Sequence, residues 1–176
     1  MSNCGRSGWP SEMTARGCPS SGSAGVAVAL QTVKALLTET ALPRLNVVDH
    51  RFCPDAACDV VYFDAAGAWF GTGDLRVPVW QKQPFGSRAI CYCFGESEAS
   101  IETELGAAGR SLAVERVREH IEAGRCACEV RNPRGACCLG DLTAAVKRVE
   151  AALNERLRAR IEAEDVHAGE SRTRHR

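Results

Sequence analysis

No apolar stretch in this sequence approaches the length of a membrane span. The longest, GVAVAL at Gly25–Leu30, falls far short of the roughly 20 residues that a spanning helix needs. Met1–Gly17 lacks the apolar centre of a secretory signal, and Cys4 lacks the apolar residues that a lipoprotein signal places before its cysteine. These absences predict a cytoplasmic protein without membrane insertion. Net charge is missing as well: 22 basic residues balance 22 acidic ones, so global charge gives no reason to expect nucleic acid or an anionic membrane as partner. The Arg-rich stretch RLRARIEAE (156–164) interleaves acidic residues and reads as a solvated helix face. There is no phosphate-binding glycine loop, no dinucleotide fingerprint and no pairing of a nucleophile with a base, so the chain is not expected to be an enzyme.

What is present in excess is cysteine: ten among 176 residues. In a reducing cytosol dense cysteine points to metal more than to disulfide. The hydrophobic fraction of 45% is enough for a core.

The texture of the chain changes once. Residues 1–17 are polar and rich in Ser and Gly, and read as a disordered leader. Residues 18–84 carry short β-branched and aromatic pieces, VAVAL, HRFC and DVVYF, and read as a small β-rich, zinc-ribbon-like region; TVKALL (Thr32–Leu37) reads as one or two helical turns, and Trp69 and Trp80 as packing residues. Beyond Pro84–Arg88, residues 89–164 read as helical. Ser97–Ala108 has Ser97 as its N-cap, with Ile101 and Leu105 on one face. Ser111–Gly124 has Ser111 as cap, a stripe of Val114, Val117 and Ile121, and Gly124 just past its end. A long last helix carries Leu142, Val146, Val149, Leu153, Leu157 and Ile161; its far part is expected to pack back on the β-rich half or to pair with a second copy as a homodimer. Residues 165–176 read as a disordered tail. The expected fold class is α+β: a β-rich zinc-ribbon-like region, then a helical 2Fe–2S domain with an extended C-terminal helix.

The cysteines divide with the texture. Cys18, Cys53 and Cys58 form the first set, and the C-x4-C pair Cys53/Cys58 lies just before a strand, as in a zinc knuckle. Ser21 stands where a C-x2-C partner of Cys18 would be; Cys4, His50, Asp59 or Ser21 must supply the fourth donor. The second set is Cys91 and Cys93, then Cys126, Cys128, Cys137 and Cys138 in the loop before the last helix. A 2Fe–2S cluster needs four thiolates, two on each iron. Cys91, Cys93, Cys128 and Cys138 are the expected ligands, with Cys126 and Cys137 as alternates. Helix starts near Glu98 and Leu142 would turn partial positive charge toward such a dianionic centre, and Arg125, Arg131 and Arg134 would offset the rest. His120, beside Ile121, reads as a surface or boundary residue.

The stretches RFCPDAACDVVYF, CYCFGESEASI and GRCACEVRNPRGACCLGDLTAAVK, with CP..G before them, resemble the N-terminal domain of the CopZ-type copper chaperones over about residues 18–150. The second half is also similar to bacterioferritin-associated ferredoxin. The resemblance implies zinc on the first cysteine set and a 2Fe–2S cluster on the second, in a protein of copper or iron homeostasis. Where family chaperones carry a copper-trafficking domain with an M-x-C-x2-C loop, this chain has a helix and a polar tail, so copper delivery is not expected to transfer simply. The expected function is one-electron transfer, to a redox partner protein or to a metal ion about to reach a transporter or chaperone. The competing reading is a thiol module that binds or hands over Cu(I), or a zinc module that docks on a partner.

Overall fold

The computed structural model describes residues 17–173, with side chains described through residue 163. The expected leader and Cys4 therefore lie outside the described residues. By contacts the chain forms two compact units. One gathers residues up to Gln83 together with Ala127–Cys137; the other gathers Pro84–Cys126 and the chain from Cys138 onward.

The first unit is built on a four-stranded antiparallel sheet in the order β1 (Val26–Val28), β2 (His50–Phe52), β3 (Val60–Asp64), β4 (Trp69–Gly71). β2 and β3 are made of aromatic and β-branched residues, which fill a pleated surface well. Their register sets Phe52 opposite Tyr62, with the rings edge to face at 6.4 Å. Every residue of β3 is buried. A core of Val28, Val33, Leu37, Phe52, Val61, Tyr62 and Phe70 gathers around the sheet and the short helix α1 (Leu30–Leu36). Burial of each such side chain stabilises by about 1.5–3 kcal/mol, so Phe70→Ala should be among the costliest single changes here, at about 3–5 kcal/mol. On β4 only Phe70 of the aromatic pair turns to that core. Trp69, expected to pack, is 48% exposed because adjacent strand residues face opposite sides.

The second unit opens with a two-stranded hairpin, β5 (Ala89–Cys91) and β6 (Glu96–Ser97). Its turn closes at Gly95, where φ is +76° and the N–H donates to the Cys91 carbonyl at 2.9 Å. α2 (Glu98–Ala108) is capped by Ser97, whose hydroxyl accepts the Ser100 N–H at 3.1 Å. α3 (Ala113–Glu122) starts one residue later than Ser111 as its cap would place it. Ser111 still accepts the Ala113 N–H, at 3.3 Å, but its hydroxyl also donates to Glu104, which ties the two helices. Ala113 and Val117 bury fully, whereas Val114 and Ile121 sit half-buried.

After the four-residue helix α4 (Cys128–Arg131) comes α5 (Leu139–Thr173). Leu142, Ala145 and Val149 bury against the unit. Leu157 and Ile161, further along the same stripe, are exposed. The helix runs on to Thr173, well into the stretch read from the sequence as a disordered tail; no proline interrupts it, and Ala, Glu and Arg dominate.

One segment changes sides. Residues 127–137, grouped by sequence with the helical half, pack in the first unit, with α4 against α1. The hydrophobic pattern of so short a piece carries no mark of which core it joins.

Candidate metal centres

The first centre arises from two turns that meet at β3. Cys18 opens a tight loop in which the Gly22 N–H donates to the Cys18 carbonyl and the Cys18 N–H to Ser23, both at 2.8 Å. Cys53 leaves β2 still paired to β3 through the Val61 carbonyl, and Cys58 leads into β3. The three sulfurs lie within 4.8 Å of one another and all three residues are buried. Cys18 and Cys58 stand 3.8 Å apart. Two sulfurs bound tetrahedrally at about 2.3 Å from one zinc ion are about 3.8 Å apart, so the trio fits zinc.

Its electrostatics favour a thiolate. Burial works to raise the Cys18 thiol, but the Ser21 backbone and hydroxyl, the Ser20 backbone and Cys53 outweigh it and hold Cys18 down to about 7. Burial pushes Cys53 up, so Cys18 ionises before Cys53. Lys82, which the sequence reading passed over, donates from Nζ to the carbonyls of Asp55 and Cys58, at 2.8 and 2.7 Å. It clamps the C-x4-C turn and sets a cation beside thiolates. Nothing in the local sequence marks it, because its partners are backbone atoms far back in the chain.

Among the described candidates for a fourth donor, the structure brings one to the sulfurs. The Ser21 hydroxyl lies 3.5 Å from the Cys53 sulfur. Asp59 is turned to Thr72, accepting from its N–H and its hydroxyl. His50 is fully buried at the other end of β2, with Nδ1 against the Val48 carbonyl at 2.8 Å and Nε2 facing Asp64 at 3.6 Å.

Of the second set, Cys91, Cys93, Cys126 and Cys138 lie in the second unit, as two pairs. The Cys93 and Cys126 sulfurs are 3.9 Å apart, close to the same tetrahedral edge. The Cys91 sulfur takes a hydrogen bond from Cys138; this outweighs burial and, with the Phe94 and Cys93 backbone, brings Cys91 down to about 6. Cys138 sits at the start of α5: its carbonyl accepts the Leu142 N–H at 2.8 Å, so the free N–H groups and positive end of a long helix lie at this thiol. Cys138 is buried and Cys137, its neighbour, exposed. Cys93 and Cys126 in tetrahedral spacing, with Cys91 hydrogen-bonded to Cys138, fit a centre that takes two thiolates on each of two irons. Cys128 is buried at the start of α4, in the segment 127–137 of the first unit. Arg125 and Arg131 are exposed and Arg134 is half-buried.

Around the C-x-C hairpin the structure adds Arg116 and Glu96, which the sequence did not single out, and gives His120 a partner. Arg116 reaches Glu96 at 2.8 Å and Glu104 at 2.6 Å, and Glu96 is almost fully buried. His120 is half-buried and stacks on Phe94 at 4.1 Å, which makes it a brace for the hairpin rather than a free surface residue.

Residues 15–76 match the family model described as a zinc binding domain, of the CopZ type. The X-ray structure of the Archaeoglobus fulgidus CopZ N-terminal domain is similar to this chain at 29% identity with a TM-score of 0.58, covering 73% of this chain and 95% of that domain. Among curated proteins none matches. Residues 15–76 thus form a CopZ-like zinc-binding domain, whose clustered thiols could hold a metal ion. Among the described residues no helix is long and apolar enough to cross a membrane.

Proposed function

We propose that the chain is a two-centre carrier, not an enzyme. Zinc is held by Cys18, Cys53 and Cys58 with Ser21 nearest the fourth corner. A 2Fe–2S cluster is held by Cys91, Cys93, Cys138 and one thiol of the pair Cys126/Cys128. The observation that carries the second part is the pairing of Cys91 with Cys138 and of Cys93 with Cys126 within one compact unit. A 2Fe–2S centre supplies one-electron transfer. The protein's part is to hold four thiolates in place, with the α5 N-terminus favouring negative charge at Cys138 and the Glu96–Arg116 pair fixing the hairpin.

On this reading the cytoplasmic protein passes single electrons to a redox partner, or to a metal ion before a transporter or chaperone receives it. Two copies pairing along the exposed stripe of Leu157 and Ile161 belong to the same proposal. A second reading, Cu(I) transfer through thiols, is favoured by one feature: Cys137 is exposed and outside the four cluster positions. Anaerobic purification with metal analysis, followed by Cu(I) titration of the iron-loaded protein, tests both. Iron with a visible charge-transfer band supports the carrier; thiols that take Cu(I) in place of iron support the second reading.

A further inference from the structure

The segment between Cys126 and Cys138 is fastened to the zinc-bearing unit by two buried hydroxyls. Thr32, fully buried on α1, donates to the Glu129 carbonyl at 2.6 Å. Tyr62, fully buried on β3, donates to the Pro133 carbonyl at 2.8 Å. A buried hydroxyl without a partner is costly, and the strap supplies a carbonyl acceptor to each of these two. The strap is preformed to receive them. Asn132, 1% exposed, donates to the Ala136 carbonyl at 2.7 Å and accepts the Arg134 N–H at 3.1 Å. Gly135, at φ +64°, comes so close to Thr32 that a Cβ there would meet its hydroxyl at 2.8 Å. One of the two anchors is also close in the chain to the zinc ligands. Tyr62 lies on the strand that Cys58 leads into, and the Cys53 N–H pairs with Val61 beside it.

We infer that zinc at Cys18, Cys53 and Cys58 positions the loop thiols: by holding β3 it holds Tyr62, which together with Thr32 on α1 fixes the strap that runs from Cys126 to Cys138. Tyr62 and Thr32 are positioning residues for the second centre although they touch none of its thiols. This linkage rests on the two-centre reading proposed above.

Hydrogen exchange of amides 127–137 in the full chain tests it, with zinc and iron content measured on the same samples. Removing zinc with a chelator should speed strap exchange by roughly tenfold or more. A Thr32→Val, Tyr62→Phe double variant should do the same, as loss of two net hydrogen bonds predicts, while keeping its zinc and the protection of β2 and β3. It should also lose iron faster to a chelator. Thr32→Ser, which keeps the hydroxyl, should restore most of the protection in the Tyr62 wild-type background. Zinc removal or the double variant with strap protection unchanged would overturn the linkage alone. A chain that takes up no zinc overturns the two-centre reading and the linkage together. If the double variant unfolds, zinc removal from the wild-type chain and Thr32→Val alone still decide the matter.

Discussion

Cys18 and Cys58, forty residues apart in the chain, bring their sulfurs to 3.8 Å, the edge of a tetrahedron around one zinc ion. Cys18→Ser, Cys53→Ser and Cys58→Ser should therefore each drop zinc well below about one equivalent per chain, and should lower the melting temperature of the β-rich unit, because ligand convergence is part of its folding energy. Unchanged zinc content in any of the three would remove that residue from the site.

Ser21 offers a sharper version of the same test. Its hydroxyl reaches the Cys53 sulfur at 3.5 Å, but a hydroxyl is a poorer zinc ligand than a thiolate. Ser21→Cys should tighten zinc by about tenfold or more in competition with a chromophoric chelator. Affinity that stays the same or weakens would mean the fourth donor comes from elsewhere.

For the second centre, Cys91→Ser, Cys93→Ser and Cys138→Ser should each abolish the visible band, and Cys137→Ser should keep it. Of Cys126→Ser and Cys128→Ser only one should lose the band, because a cluster takes four thiolates. The Cys93–Cys126 approach at 3.9 Å puts Cys126 level with Cys128, the ligand expected from the sequence. Loss of the band in both variants, or in neither, contradicts a single fourth position.

The helical unit should weaken in acid through Glu104. Burial works to raise its carboxyl, but Ser111, Arg116 and the Leu112 N–H outweigh it and hold it below its ordinary 4.5. A carboxyl depressed in the folded state contributes stability that is present above its unfolded value and is lost as pH falls through its folded one. Wild type should therefore lose stability as pH drops below about 4.5, and Glu104→Gln should flatten that part of the profile. Identical acid profiles for the two would show that the contacts with Ser111 and Arg116 do not stabilise the fold.

Much of this architecture was legible because it is written locally. Ser97 caps its helix where its hydroxyl and the following Ile101 and Leu105 say it should, and DVVYF is a strand because its side chains are β-branched or aromatic. C-x4-C before a strand brings Cys53 and Cys58 to the Cys18 sulfur, and C-x-C before a helix sets Cys91 and Cys93 on one hairpin, for the same reason. What stayed hidden is non-local. Lys82 reaches carbonyls at positions 55 and 58, and Thr32 holds a carbonyl at 129. Hydrogen bonds to backbone leave no trace in the partner's residue type. The residues from Ala127 to Cys137 pack on β3 and α1 for such reasons, and His50 is drawn to Asp64 by the β2–β3 register rather than to the thiols.

The most direct test of the two-centre account is metal and sulfide analysis of anaerobically purified full chain, read with its visible absorption and the electron paramagnetic resonance of the dithionite-reduced sample. The account predicts about one zinc, two irons and two inorganic sulfides per chain, with a spin-half signal on one-electron reduction. Protein that carries zinc at both cysteine sets, with no iron, no sulfide and no visible band even after anaerobic reconstitution, would contradict it.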